Sequence, residues 1–190
     1  MGLLRYISHP DVVVDPATPV PEWRLSEHGR ARLAVMLTRP WVTTIGAVVT
    51  SEERKALEAA TVIANHLGVP IETRASTGEL DRSATGFVSA AEHERLADAC
   101  FAAPERSVKG WERAADAQAR IVRALGDLLA SDDATGDIAV VGHGGVGTLW
   151  WCSLSDLPID RRWDQPGQGS YFTVDRATRR PLHHWTPIDA

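Results

Sequence analysis

The chain has 190 residues, 44% of them hydrophobic and 24% charged, and a formal net charge of −5. That length suits one domain with a sizeable core, without disulfides or metals to staple it. Its basic residues are scattered, which excludes a nucleic-acid partner, and no segment approaches the ~18 consecutive apolar residues of a membrane span.

In chain order, Leu3 to Ile7 reads as a short buried strand that His9-Pro10 ends, because proline cannot continue a central ladder. Residues 11–24 hold Asp15-Pro16 and Pro19-Val20-Pro21, which is loop chemistry. Ser26 caps a helix to about Leu37, which Pro40 stops. Ile45 to Thr50 is a second strand. Thr50 and Glu53 form a capping-box signature that predicts a helix from Ser51 to about His66, with Gly68 as its C-cap. Ile71 to Arg74 reads as a third strand, and residues 76–82 have no clear period. Helices are predicted over Ala90 to Phe101 and Trp111 to Ala130, then a strand over Ile138 to Val141 and a buried helix over Val146 to Leu154. Tyr171 to Val174 and Leu182 to Trp185 read as two final strands joined through Asp175 to Thr178.

Apolar strands interleaved with helices indicate a sheet covered on both faces. The expected fold is α/β: a three-layer α/β/α sandwich around a mostly parallel sheet. One domain spans 1–190, with a helical insertion or lid over about 76–110. Such sheets bind ligands outside the carboxyl ends of their strands. That rule selects the positions after Ile7, Thr50 and Val141. His9 and His143 occupy two of them, and the third opens a helix bearing Ser51, Arg54 and Lys55. A neutral imidazole is a good nucleophile toward phosphorus, and a second one can donate to the equatorial oxygens as charge spreads over them.

The remaining histidines read as bland. His28, His66 and His93 lie among charges on helices, and His183 and His184, adjacent on a strand, face opposite ways. No zinc spacing occurs, and neither a metal nor a cofactor is expected. Cys100 and Cys152 read as two buried thiols. The N-terminus has no h-region and no small-residue cleavage site, so a cytoplasmic location is expected. A homodimer is compatible with the seven tryptophans.

These residues fall into the order of a known family. The chain resembles a histidine phosphatase, the superfamily that includes the cofactor-dependent phosphoglycerate mutases. The family's first strand ends in Arg-His-Gly, where this chain has Ser8-His9-Pro10. Its Leu-Thr-Glu-x-Gly-x-x-Gln/Arg-Ala stretch is matched from Leu25 to Ala31. Its Ser-x-x-x-Arg-Ala-x-x-Thr-Ala helix is matched from Ser51 to Ala60, with Lys55 and Ala59 at the arginine and threonine positions. The Leu-x-Glu loop corresponds to Thr77-Gly78-Glu79, and the Ser/Gly-His-Gly-Gly motif to Gly142-His143-Gly144-Gly145.

The resemblance implies that His9 is phosphorylated, that His143 and Gly144 bind the phosphoryl group, and that Glu79 is the general acid, with Asp81 a rival. It also implies a small phosphorylated metabolite as substrate. Arginine grips phosphate through a planar fork and lysine offers a point charge, so Ser8 and Lys55 are consequential departures. A substitute cation is expected, Arg82 first and Arg54 second; Arg5 lies too far back along the strand. Three other readings compete: a catalytically weak member that binds a phosphorylated ligand or partner, a phosphomutase, and a dinucleotide-binding protein using Gly142-x-Gly144-x-x-Gly147.

Overall fold

The computed structural model describes residues 2–130 and 136–190. Seven strands form one sheet: β1 (Leu3–Ser8), β2 (Ile45–Thr50), β3 (Ile71–Thr73), β4 (Asp137–Gly142), β5 (Ser170–Asp175), β6 (Arg180–Pro181) and β7 (Thr186–Pro187). Their order is β3-β2-β4-β1-β5-β6, with β7 also paired to β5. The four strands from β3 to β1 run parallel, and β5 joins antiparallel to β1. Five helices cover the sheet: α1 (Glu27–Met36), α2 (Arg54–Leu67), α3 (Ala90–Ala102), α4 (Ala114–Ala130) and α5 (Gly144–Leu154).

The three layers follow from the two-residue period of the strands. Leu4, Tyr6, Ile138 and Val140 face one way, into a core built with α3, α4 and α5. Ile7, Ala139 and Val141 face the other way, against α1 and α2. A sheet buried on both faces needs apolar residues at consecutive positions, which is why β4 reads Ile-Ala-Val-Val.

Most elements lie where the sequence places them. Ser26 caps α1 by accepting from Gly29 N–H, and Gly68 ends α2 at φ 68°. Cys100 and Cys152 are buried and free. Three elements differ by three residues or more. Helix α2 begins at Arg54, three residues late, because the Thr50 hydroxyl makes no cap bond among the described residues and Glu53 turns its carboxylate to Glu79 N–H. Helix α4 begins at Ala114 because Lys109 and Gly110 adopt left-handed φ of 54° and 83°. The predicted last strand, Leu182 to Trp185, is instead the link between the two-residue strands β6 and β7. There His183 turns its Nε2 to Thr173 Oγ1 at 2.9 Å.

The glycines of the Gly142-x-Gly144-x-x-Gly147 pattern have packing roles. A Cβ on Gly142 would lie 2.4 Å from the Tyr6 hydroxyl, and one on Gly147 would lie 2.4 Å from the Tyr6 ring. Tyr6 therefore takes the room those glycines leave. Gly147→Ala should cost about 1–3 kcal/mol in urea unfolding, because its neighbours are a buried Tyr6 and Trp185 that cannot move aside. Gly126→Ala in α4, where nothing lies within 4 Å, should instead gain up to about 1 kcal/mol.

Candidate active site

Parallel strands β2, β4 and β1 are neighbours, and their registers end together: Ser8 pairs with Gly142, and Thr50 with Val141. The residues just beyond them, His9, Ser51 and His143, therefore meet at one edge of the sheet. The two imidazoles stand edge to face with ring centroids 5.3 Å apart. Ser8, His9, Ser51, Lys55 and His143 are all buried.

The His9 Nδ1 lies 2.9 Å from the carbonyl oxygen of Pro10. A carbonyl only accepts, so Nδ1 carries the proton and Nε2 keeps its lone pair. Proline forfeits an N–H here and retains the carbonyl that sets the tautomer. Burial first, then the neighbouring His143 and Lys55, push the His9 pKa down to about 3.

His143 is held from two sides. Tyr6 OH accepts from its backbone N–H and donates to its carbonyl, at 3.2 and 3.1 Å. Its ring Nε2 lies 2.7 Å from Ser51 Oγ and 3.3 Å from Glu53 Oε1. Its Nδ1 is buried with no partner among the described residues. Burial lowers the His143 pKa and outweighs the upward pull of Glu53 and Glu79.

Glu53 organises the rest. Burial would raise its pKa, yet His143 and Lys55 hold it at about 2. One carboxylate oxygen accepts from Glu79 N–H at 2.8 Å, and the other pairs with the Lys55 ammonium. Lys55 also donates to the Val20 carbonyl at 3.0 Å. Sequence reading assigned Glu53 to a helix cap and so missed it. Nothing in the pattern distinguished a cap from a buried ion-pair partner.

Glu79 reaches the start of α5, where its carboxylate accepts from Gly145 N–H at 3.1 Å and Val146 N–H at 3.0 Å. Gly145 is glycine for this reason, since a Cβ would lie 2.7 Å from Glu79 Oε1. Burial favours a protonated Glu79, but the charges of His143 and Arg82 and the Leu80 N–H outweigh it, and the pKa falls. Asp81, the rival acid, is exposed and accepts from Ser83 N–H at 2.8 Å; the structure does not bring it to the histidines.

Of the two substitute cations, Arg82 is half-buried, bonded to His93 Nε2 and stacked 5.7 Å over Trp111. Its charge acts on Glu79 and His143. His93 is thus a half-buried partner of Arg82, not a solvated helix residue, because α3 turns it inward against Trp111. Arg54 is exposed and paired with Glu58 at 3.0 Å, on the outer face of α2, so it does not reach the site. Ser8 points to the start of α5, where its hydroxyl meets Gln165.

The superfamily profile described as histidine phosphatase superfamily (branch 1) matches residues 18–184. The chain belongs to the histidine phosphatase superfamily. The segment with His9 precedes the matched span, so the superfamily assignment does not depend on it. Solved structures agree on the fold. A mycobacterial glucosyl-3-phosphoglycerate phosphatase with inorganic phosphate superposes with TM-score 0.80 at 18% identity, over 100% of each chain. YhfR of Bacillus stearothermophilus gives 0.79 at 20% identity, over 100% of this chain and 98% of its own. A protein named mycobacterial hydrolase 1 gives 0.76 at 17% identity, over 100% and 99%. No curated protein matches the chain by sequence. Among the described residues, no helix is long and apolar enough to cross a membrane, and no cluster of three or more His, Cys, Asp or Glu could hold a metal.

The burial of His9 has a measurable consequence. Its folded pKa lies below the unfolded value of about 6.5, so the unfolded chain binds more protons between those values. Stability should therefore fall as pH drops from about 6.5 toward 3. Glu53 adds to the loss below about 4.5, since its folded pKa is also depressed. NMR of the imidazole nitrogens should show His9 neutral down to about pH 4, and a ring titrating near 6.5 would contradict the buried site.

Proposed function

We propose that this histidine phosphatase superfamily member hydrolyses a phosphomonoester of a small metabolite through a phosphohistidine at His9. The observation that carries this reading is the tautomer imposed on His9. Its Nδ1 proton is spent on Pro10, which leaves the lone pair on Nε2 of a ring whose centroid lies 5.3 Å from that of His143. A low pKa keeps that lone pair available at all ordinary pH values.

In the first step, Nε2 of His9 bonds to phosphorus as the bond to the ester oxygen breaks, and the leaving oxygen takes a proton. In the second, water attacks the phosphohistidine and releases phosphate. His143 is the partner of the phosphoryl oxygens through Nδ1. Glu53 and Ser51, on the far nitrogen, allow the ring to become an imidazolium once an anion stands beside it.

Glu79 is our choice for the acid, and its environment defines the condition for that role. It is a carboxylate in the protein alone, held by two amides of α5. The phosphoryl group brings negative charge close to it, which raises its pKa. A substrate monoanion supplies the proton, which passes to Glu79 and on to the leaving oxygen. Loops 11–24 and 76–110 meet where Trp23 and Phe87 come within 6.0 Å, and they supply the walls that choose the leaving group. In this reading the second segment is a lid.

One observation favours a weaker catalyst that chiefly binds a phosphorylated ligand: the ammonium of Lys55 is already committed to Glu53 and Val20. Alkaline-quenched labelling with a 32P-phosphomonoester separates the two. The wild type should carry acid-labile label and turn over, and His9→Ala should lose both by at least about 10³-fold. Phosphate binding with no label on the wild type would leave the binding reading in place.

A further inference from the structure

The mechanism leaves one arm of the site without an assigned group, the side bounded by Ser8 and the first turn of α5. The Ser8 hydroxyl oxygen accepts from Ser170 N–H at 3.0 Å. Its own proton has two acceptors in reach, Gln165 Oε1 at 2.5 Å and the Ser170 carbonyl at 3.2 Å. The shorter contact directs the carboxamide oxygen to Ser8 and leaves Nε2 at the start of α5. A Cβ on Gly144 would lie 2.1 Å from that Nε2, so the amide rests directly on the residue after His143. Gln165 Nε2 has no hydrogen-bond partner among the described residues. The buried Nδ1 of His143, the residue before Gly144, is likewise without one.

The loop that presents Gln165 is braced. The Asp164 carboxylate accepts from Thr148 Oγ1 of α5 at 2.9 Å and from Gln165 N–H at 2.8 Å. Trp163 packs on Trp151 of α5 with ring centroids 5.4 Å apart, and Ser170 Oγ donates to Gly167 O at 3.0 Å. A donor held this firmly, next to the nucleophile's neighbour in sequence, is preorganised for an anion.

We propose that Gln165 is a phosphate-binding residue, its carboxamide N–H donating to a phosphoryl oxygen between His9 and the start of α5, with Ser8 as the positioning residue. It rests on the reading that the two histidines flank a phosphoryl group. The arm is neutral, so it adds a directed donor without adding charge. The charged groups around the two histidines and this loop are Glu79 at the start of α5, Lys55 and Glu53 from α2, Arg82 from the segment before α3, and Asp164 with its ion-pair partner Arg161 at 3.1 Å in the Gln165 loop.

The test is binding of inorganic phosphate by calorimetry to the full chain, which needs no turnover. Gln165→Ala should weaken binding about 10- to 100-fold, the effect of losing one hydrogen bond to a charged group. Gln165→Glu gives the readout a structural role would not move. Near about pH 8 its carboxylate repels phosphate, whereas near about pH 5, next to the anion, it takes up a proton and donates as the amide does. Its penalty relative to wild type should therefore shrink by about tenfold at the lower pH. Binding by Gln165→Ala within about twofold of wild type overturns the proposal, as does a Gln165→Glu penalty equal at both pH values. A wild type that binds no phosphate overturns it together with the proposed function. Phosphate binding that depends on Gln165, with no label on His9, supports the assignment and removes only the phosphohistidine route.

Discussion

The proposed reaction depends on a buried imidazole, His143, that stays neutral alone and becomes charged beside an anion. His143 follows directly on the central strand β4, which lies between the strands that deliver His9 and Ser51. Desolvation holds its pKa down, while Glu53 and Glu79 pull it up. With these influences opposed, a further negative charge in contact pulls the ring toward its charged form. The tyrosine beneath it supplies no charge. Tyr6 fixes the backbone at His143 through both its N–H and its carbonyl, so the ring can change charge without changing place.

The same balance explains features that look unrelated in the sequence. Glu53 must be ionised to serve His143, and a lone buried carboxylate is costly, so Lys55 is brought against it. Lys55 in turn uses the Val20 carbonyl, which ties the Pro-rich loop to α2. Glu79 is fastened to the first turn of α5, where the helix dipole and free amides favour an anion. Cations and anions are thus interleaved around the histidines.

The sheet and the two histidines were legible because they rest on local signals. Buried strands show as apolar runs, and the rule that ligands sit at carboxyl ends of parallel strands converts three run ends into one place. What was not legible is whatever depends on which of two partners a side chain chooses. Glu53 fits a capping box by spacing, but the amide it serves is that of Glu79, 26 residues away. Gln165 lies in a stretch with no period, and its meaning comes from Ser8, 157 residues distant. The sequence favours Arg82 over Arg54 without showing either one's partners; α2 turns Arg54 to solvent, and Trp111 with His93 draws Arg82 inward.

The glycines of the His143 turn show how one pattern can carry two meanings. By spacing alone they satisfy a nucleotide-binding fingerprint, whose glycines make room for a pyrophosphate. Here the room is already used by protein: Tyr6 beneath Gly142 and Gly147, Gln165 over Gly144 and Glu79 over Gly145. Four close approaches by side chains from three distant segments converge on one helix start. A backbone this enclosed cannot admit a dinucleotide along its length, but it holds His143 in a fixed place with donors and acceptors set around it. Glycine at these positions therefore reports how tightly this end of the site is built, and the chemistry has to be read from the side chains that fill the space.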